Sequence, residues 1–270
     1  MNNVKKTLTV RLAQGIGNQL FMHDNDYSLS KSYNYQLFID NTSGYFKKKN
    51  QLRTYELNNF HIEENLATTD LKFDTHSKNL KRKILIKLDK FRNHRSFILE
   101  KKDSHKKTFF TKINLDNYSN KLFLEGHFES EKYFYEYKDD LKKILKVKNN
   151  LLENNNFYMN DIKNNNSVSI CIRQNRYSEG RFKNNDKSLK FTKDTIDYIY
   201  RAIAYIKKKI DNPIFFIWSN DFTNLREHFN ENDYVFVENS INKSLNDFHL
   251  FKFSKHFIVG PHHSIGGERG

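Results

Sequence analysis

The sequence predicts an α/β protein built from two halves, each containing a parallel sheet. The first observation is a strand, a glycine loop, a helix and a second strand near the start of the chain. The second is an asparagine-rich stretch at 149–166, a candidate linker with a helix in part of it as the alternative, after which strand and helix patterns begin again. A strand–helix–strand unit places its two strands in parallel. We therefore expect an N-terminal domain at 1–150 and a C-terminal domain at 165–270.

The individual elements follow from short apolar runs and from helical spacing. Apolar, β-branched runs predict the strands, and a helix at 194–210 is predicted because Ile196, Ile199 and Ile203 recur at helical spacing. Residues 75–120 are basic with weak periodicity, and we expect them to be helical only in part. The predicted strands lie at 8–12, 36–40, 121–126, 167–172, 214–218, 234–237 and 256–260, and the other helices at 20–33, 135–147 and 244–253.

The composition is that of a folded, strongly basic chain. Its 270 residues are 37% hydrophobic and 15% aromatic, which supports a core and is unlike disordered proteins. The net charge is +14, with lysine-rich runs at 47–49, 81–90 and 207–209. We interpret these runs as solvated faces, some touching an anionic membrane, in preference to a nucleic-acid site. A basic nucleic-acid-binding protein is kept as an alternative, although no motif of that class is present.

The cysteine content and the hydropathy of the chain limit the metal sites, disulfides and cellular locations that are compatible with it. The single cysteine, Cys171, excludes an internal disulfide and a multi-cysteine zinc site. Two adjacent histidines, His262 and His263, point in opposite directions on an extended segment, so we expect no metal there. The chain begins without the apolar stretch of a signal peptide, and no window holds the roughly 18 apolar residues of a spanning helix. A cytoplasmic location is predicted, with peripheral attachment to the inner membrane face as its variant.

The glycine loop at 14–19 follows a strand and opens a helix. Glycines at Gly15 and Gly17 allow a tight turn, and the helix N-terminus offers free N–H groups to an anion or a sugar hydroxyl. The third glycine of the dinucleotide fingerprint is absent. An ordinary strand-to-helix turn is therefore an equally good interpretation of this motif alone.

Two further polar loops follow strands of the second half. Arg173 and Arg176 come after the strand at 167–172, where ligands bind in open α/β sheets and where guanidinium groups suit a diphosphate. A surface loop of salt bridges is the alternative. Ser219 and Asp221 end the strand at 214–218 and suit a ribose, base or sugar. Capping of the next helix is the more ordinary role for such residues.

Taken in order, five segments of the chain resemble glycosyltransferase family eleven, the α-1,2-fucosyltransferases. They cover most of the chain. The first two segments are QGIGNQLF at 14–21, where the family has G-G-x-G-N-Q-x-F, and GHFESEKYF at 126–134, where it has G-Y-F-Q-x-x-x-Y-F. The third is VSICIRQNRY at 168–177, where the family has V-x-x-H-I-R-R-G-D-Y. The last two are FFIWSND at 215–221, for F-F-I-F-S-D-D, and DFHLFKFSKHFI at 247–258, for D-x-x-L-M-x-x-C-K-H-x-I.

The resemblance implies a GT-B fold, with two Rossmann-like domains facing a cleft and the N-terminal domain on the acceptor side. It implies GDP-fucose as donor, a galactoside-type glycan as acceptor, inversion, and no metal or other cofactor. Leaving GDP would then be stabilised by cations and N–H donors, with Arg173 and Arg176 as the catalytic candidates. Donor contacts are assigned to five residues: Gly15, Gly17, Asn18, Ser219 and Asp221.

The chain departs from the family within the third segment. The family's histidine, second arginine and aspartate are here Cys171, Gln174 and Arg176. Our hypothesis is that Arg176 replaces the lost guanidinium two positions further on. For the general base, either Glu179 serves or the reaction is dissociative enough to need little base assistance.

The end of the chain also differs from the family, whose members continue past the last strand with S-S-F-[SH]-W-W-G-A-W. Here residues 260–270 read GPHHSIGGERG. One possible codon set for this ending, shifted by one nucleotide, encodes F-H-W-W-G-A-W. We interpret the ending as the product of a one-base frameshift near Pro261, which would leave the second domain incomplete. The alternative function is then a non-catalytic relative that at most binds a sugar nucleotide.

Overall fold

The computed structural model describes residues 5–46, 53–63, 65–102, 109–152, 156–174, 185–239 and 242–260. The chain divides into two compact units, Met1–Lys146 (unit 1) and Val147–Gly270 (unit 2). Each unit has its own sheet and core and is described by itself. The predicted limits of 1–150 and 165–270 remain a prediction for the domains of the protein.

Unit 1 contains a four-stranded parallel sheet in the order β2-β1-β4-β3. Its strands are β1 (Thr7–Arg11), β2 (Gln36–Asp40), β3 (Arg95–Leu99) and β4 (Tyr118–Glu125), and its helices are α1 (Ile16–Tyr33), α2 (His76–Asp89) and α3 (Lys138–Ile144).

The centre of this sheet is apolar because β1 and β4 are the inner strands. Leu8 lies in register with Leu37 on one side and Leu122 on the other. Both Leu8 and Leu122 are fully buried, and Leu29 of α1 packs against them. This burial fixes the register of β1, and with it the point at which the glycine loop leaves the sheet.

Unit 2 contains a second parallel sheet, in the order β7-β6-β5-β8. Its strands are β5 (Asn166–Ile172), β6 (Pro213–Ser219), β7 (Tyr234–Phe236) and β8 (His256–Val259), and its helices are α4 (Asn156–Asn164), α5 (Asn185–Lys207), α6 (Leu225–His228) and α7 (Lys243–Phe251).

Helices cover both faces of this sheet, so alternate residues of β6 enter different parts of the core. Phe215 and Ile217 pack with Ile199 of α5, whereas Phe216 packs with Ile162 of α4. A strand that is buried on both faces reads as a continuous apolar run. That is the pattern from which the strand at 214–218 was predicted.

The structure confirms the strands predicted at 8–12, 36–40 and 121–126 and the four predicted in the second half, with ends shifted by a few residues. Two regions differ in detail, because β3 was not predicted within the basic stretch 75–120 and the helix predicted at 194–210 begins earlier, at Asn185. As expected, the stretch 75–120 is helical in part, at α2, and the asparagine-rich stretch is helical in part, at α4.

Candidate functional site

Each sheet has one position where its strand order reverses. In unit 1, β1 has β2 on one side and β4 on the other, and in unit 2, β5 lies between β6 and β8. Ligands of open α/β sheets bind outside the carboxyl ends of the strands at such a switch point. The loops that follow β1, β4 and β5 are therefore candidate site loops, and the loop after β6 is added because Gln174 bonds it to the loop after β5. They carry four of the five segments on which the family resemblance rests.

The glycine loop after β1 is held from inside by a buried side chain, Gln19. Its amide nitrogen donates to the carbonyl oxygens of Gln14 at 3.0 Å and of Thr54 at 2.8 Å. Its amide oxygen accepts from the backbone N–H of Glu56 at 2.9 Å. Gln14 itself has a positive φ of 69°. A buried amide with three partners makes this loop rigid, as a binding loop requires.

The outer side of the loop is formed by Gly17 and Asn18. Gly17 is exposed, and a Cβ added to it would meet no heavy atom within 4 Å. Asn18 is half-exposed in the first turn of α1. At Gly15, by contrast, an added Cβ would lie 3.2 Å from Nη1 of Arg53. Gly17 and Asn18 are thus open to a ligand, whereas Gly15 makes room for Arg53.

A carboxylate already lies at the N-terminus of α1. Burial raises the pKa of Glu56, against the opposing effects of the Arg53 guanidinium and a hydrogen bond from the backbone N–H of Ile16. The positive end of a helix favours one negative group of this kind. Glu56 already pairs with the backbone N–H of Ile16, so this helix end has fewer free donors for a phosphate and is better suited to a sugar hydroxyl.

The loop after β4 lies at the same switch point and depends on a glycine. A Cβ on Gly126 would come within 2.3 Å of the Cβ of Glu100, so a side chain is excluded. The two oxygens of the Glu100 carboxylate accept from the backbone N–H groups of His127 and Phe128, each at 2.9 Å. The ring of His127 lies 3.8 Å from the carboxylate of Glu129. These contacts bring a histidine and an acid to the carboxyl edge of unit 1.

In unit 2 the loops after β5 and β6 are joined by Gln174. Its side-chain nitrogen donates to the carbonyl oxygens of Asp221 at 2.7 Å and Thr223 at 2.8 Å. Its backbone N–H donates to the side-chain oxygen of Asn220 at 2.9 Å, and Asn220 donates back to its carbonyl at 3.2 Å. The loops that carry Arg173 and Asp221 are therefore one connected structure.

The predicted site residues of unit 2 are placed as follows. Arg173 is half-buried directly after β5. Ser219 is buried, and its hydroxyl donates to the carbonyl oxygen of Asp221 at 2.5 Å. The Asp221 carboxylate accepts from the backbone N–H of Thr223 at 2.9 Å. These bonds shape the turn but do not cap the next helix, whose N-cap is Asn224 without a side-chain cap bond, so the capping interpretation is wrong. The ligand roles of Ser219 and Asp221 remain a prediction. Arg176 and Glu179 lie outside the described residues.

A hydrogen-bonded pair of side chains near the end of β5, Asn239 and Asp247, was not predicted as part of the site. Asn239 donates to the carboxylate of Asp247 at 2.6 Å. Burial and the nearby Asp247 raise the pKa of the Cys171 thiol to about 12, so this cysteine stays protonated. Asp247 opens the fifth family-like segment, which was the available signal. Asn239 follows β7 in no recognisable motif.

The described residues contain neither a metal-binding cluster nor a helix that could span a membrane. The residues that the structure describes contain no group of three or more His, Cys, Asp or Glu side chains able to hold a metal ion. The paired histidines His262 and His263, like Pro261 and the rest of the chain end, lie outside those residues. None of the described helices is both long and apolar enough to cross a membrane.

Known structures and sequences identify the fold and the family. FUT1 of Arabidopsis thaliana, solved as a mutant with GDP, superposes with a TM-score of 0.52 at 11% identity, over 95% of this chain and 66% of that one. Fucosyltransferase NodZ from Bradyrhizobium gives 0.46 at 9% identity, over 92% and 83%. An α-1,2-colitosyltransferase of Escherichia coli is 26% identical over 93% of this chain and 83% of its own.

The two parallel-sheet units, with their loops at the switch points, are those of a glycosyltransferase of the GT-B type, as predicted. The model of glycosyl transferase family 11 matches residues 5–262. The chain belongs to that family, and the resemblance found in the sequence is confirmed.

Proposed function

We propose that the protein transfers L-fucose from GDP-fucose to a galactoside-type glycan, forming an α-1,2 linkage with inversion. The family match over residues 5–262 carries this proposal. It is supported by the relatives, which include a fucosyltransferase solved with GDP and an α-1,2-colitosyltransferase. The independence from metals and other cofactors rests on the family resemblance.

The diphosphate of the donor is assigned to the loop after β5. Arg173 follows the strand at the switch point of unit 2, where a guanidinium group can donate two parallel hydrogen bonds to phosphate oxygens. Each charge-assisted bond is worth roughly 1.5–3 kcal/mol. When the bond to the sugar breaks, the negative charge on GDP grows, so the same contacts favour the transition state. Arg176 is the second candidate cation, on the sequence argument alone.

The remaining assignments follow the local geometry. Gly17 and Asn18 offer open backbone and an amide side chain, which suit sugar hydroxyls, while Gly15 supports the loop. In unit 2, Asn220 is exposed beside Ser219 and Asp221, where it can meet the nucleotide. Asp247 and Asn239 add a carboxylate and an amide at the end of β5.

The test is transfer from radiolabelled GDP-fucose to a panel of galactosides, with product linkage determined by NMR. Replacing Arg173 with Gln should lower kcat/KM by about 100-fold, equivalent to about 2.7 kcal/mol of transition-state stabilisation. Arg226→Gln is the matched control, because Arg226 is an exposed arginine of the same unit, paired with Glu231 and Glu238. Its activity should be unchanged.

Two results would contradict the proposal in different ways. GDP binding by calorimetry without transfer to any acceptor would favour the non-catalytic alternative. If the Arg173 and Arg226 variants lose the same fraction of activity, the protein is a transferase but Arg173 is not part of the donor site.

The identity of the donor sugar is tested with the GDP derivative of colitose, the 3-deoxy form of L-fucose, because a relative is named for that sugar. A higher kcat/KM for colitose would make it the natural donor.

A further inference from the structure

The helix α2 of unit 1 has large apolar side chains on its solvent-exposed face, where a core-facing helix usually has polar ones. Its exposed apolar side chains are Leu80 at 60%, Ile84 at 49% and Leu88 at 52% relative exposure. Phe91, in the turn directly after the helix, is 87% exposed. A spacing of four, four and three residues places all of them along one side of the helix. Four large apolar groups in one stripe are unlike the single exposed residues of an ordinary surface.

The face of α2 that meets the sheet carries the half-buried Leu85 and Ile86 together with several polar contacts. Arg82 pairs with Glu125 of β4, and its guanidinium also donates to the side-chain oxygen of Asn79 at 3.1 Å. The buried carboxylate of Asp89 accepts from the backbone N–H groups of Ser96 at 2.8 Å and Phe97 at 3.0 Å. The helix is thus docked through its inner face, and the exposed outer stripe contributes little to this core.

Basic side chains flank the stripe on both sides. At 100° per residue, Lys83, Lys87 and Lys90 follow one border and Lys81 and Arg92 the other, and all five are exposed. Between residues 75 and 95 the only acidic residue is Asp89, which is buried. A partner of this face must therefore be both apolar and negatively charged.

We propose that α2 is a membrane-binding surface that lies in the interface of an anionic lipid bilayer. Leu80, Ile84, Leu88 and Phe91 enter the boundary between headgroups and acyl chains, and the flanking lysines contact the anionic headgroups. An interfacial helix has this combination of a narrow apolar side and a lysine-rich polar side. The lack of an exposed acid between residues 75 and 95 favours lipid over the same face of a second copy, since like charges would then face each other. The proposal is independent of the donor and acceptor assigned above.

The apolar contribution is tested by sedimentation of the full chain with vesicles of phosphatidylcholine containing a quarter phosphatidylglycerol. Combined replacement of Leu80, Ile84 and Leu88 with Ser should weaken binding by about 100-fold, since each buried apolar side chain adds to membrane affinity. Phe91→Ser alone should weaken it by about 10-fold. Phe157→Ser, which removes a phenylalanine of α4 that is 71% exposed, is the control and should bind as the wild type does.

The electrostatic contribution has an equally matched control. The triple change of Lys83, Lys87 and Lys90 to Gln should lower affinity by about 10- to 100-fold. The same change at Lys207, Lys208 and Lys209, an exposed run in unit 2, removes the same net charge and should have less than a threefold effect. Circular dichroism and thermal melting should be unchanged in every variant, because all of the replaced side chains are exposed.

Several results would overturn the proposal. Equal binding to vesicles of pure phosphatidylcholine would show that anionic lipid is not required. Equal losses of affinity in the two lysine variants would show that only the total charge of the protein matters. Unchanged vesicle binding by the serine variants would show that the apolar stripe does not contact the membrane. A dimer in analytical ultracentrifugation that the serine variants abolish, without vesicle binding by the wild type, would assign the surface to a second copy of the chain.

Discussion

Gly17 is the residue of the first loop where exposure and steric room coincide. It lies in the first turn of α1, and an added Cβ would meet no heavy atom within 4 Å. Gly17→Ala should therefore stabilise the helix, by roughly 0.5–1 kcal/mol, because alanine loses less backbone entropy on folding. If the position contacts a sugar, the same methyl group should lower kcat/KM for transfer by 10-fold or more. Urea denaturation and steady-state kinetics measure the two effects.

Gly44 provides the control for this substitution. A Cβ there would lie 1.8 Å from the carbonyl oxygen of Leu12, so Gly44→Ala should destabilise the protein and lower activity only through folding. Gly17→Ala would be shown to be remote from ligands if it gained stability and kept full kcat/KM.

Asp26 introduces a pH dependence into the stability of unit 1. It is fully buried in α1, and neither carboxylate oxygen has a hydrogen-bond partner among the described residues. Burial raises the pKa of this carboxyl well above its usual value. The folded state therefore holds a proton that the unfolded state releases near pH 4. Stability is fully present below that pH and falls by about 1.4 kcal/mol per pH unit as pH rises toward the folded pKa.

Asp26→Asn removes the ionisable group while keeping its shape. The substitution should leave stability unchanged below pH 4 and raise it relative to the wild type by a margin that grows toward neutral pH. Urea denaturation at pH 4, 5, 6 and 7 measures this margin. Asp70→Asn, at an exposed carboxyl, should show no such growth. A margin that is independent of pH would show that Asp26 is ionised in the folded protein.

At the scale of elements, the connection between β5 and β6 depends on the amide of Gln174. Its nitrogen faces two carbonyl oxygens, so only a donor satisfies them. Gln174→Glu should place a carboxylate oxygen against both carbonyls and lower the free energy of unfolding by about 2–3 kcal/mol. GDP affinity should fall with it, because Arg173 is the next residue. Chemical denaturation and calorimetry with GDP provide the two measurements.

Gln174→Met is the uncharged control, because it keeps the length of the side chain and loses the same two hydrogen bonds without adding a negative charge. It should cost less than Gln174→Glu, because it leaves the two carbonyl oxygens unpaired without opposing them. Equal stability of the Glu variant and the wild type would show that these two hydrogen bonds do not form. The family-like arginine at this position would face the same two carbonyls, which explains how glutamine can occupy it within this fold.

Sequence patterns predicted the elements that are buried on both faces and failed where polar contacts fix an element. Strand β6 was predicted from an unbroken apolar run, and both of its faces are covered. Strand β3 was not predicted, because it begins with Arg95 in a basic region and is held by the Asp89 carboxylate. Likewise α2 gave a weak signal, because its inner face mixes the polar Asn79, Arg82 and Asp89 with the half-buried Leu85 and Ile86. Hydrogen bonds between distant residues leave no period in a sequence.

The candidate site shows the same division between local and distant information. Gly17 and Arg173 were predicted as site residues because each follows a strand in a recognisable segment, and their roles remain a prediction. Glu56 was not found, since it reaches the N-terminus of α1 from a separate segment with no motif of its own. Asn239 was missed for the same reason. Loops that meet only in the folded state are identified by topology, after the strand order is known.

At the scale of the whole molecule, the order of five family-like segments predicted more than any one of them. Three of the segments alone had an ordinary structural explanation, and Ser219 and Asp221 do take part in hydrogen bonds that shape a turn. Their order along the chain predicted two parallel-sheet units, and the structure has both. A net charge of +14 did not by itself distinguish among classes of partner. The positions of the lysines around one helix made a specific proposal possible.

The docking of α2 through its inner face has a consequence for how this protein can change over time. The contacts of Arg82 and Asp89 help to hold the helix in place, and the exposed outer stripe adds little to the core. Substitutions at Leu80 or Phe91 should therefore have little effect on folding. They should be selected mainly for their effect on binding to the partner of this surface. Homologues that work in different cellular settings should vary at these outer positions while keeping the inner ones. One helix thus evolves under two separate constraints, one for each face.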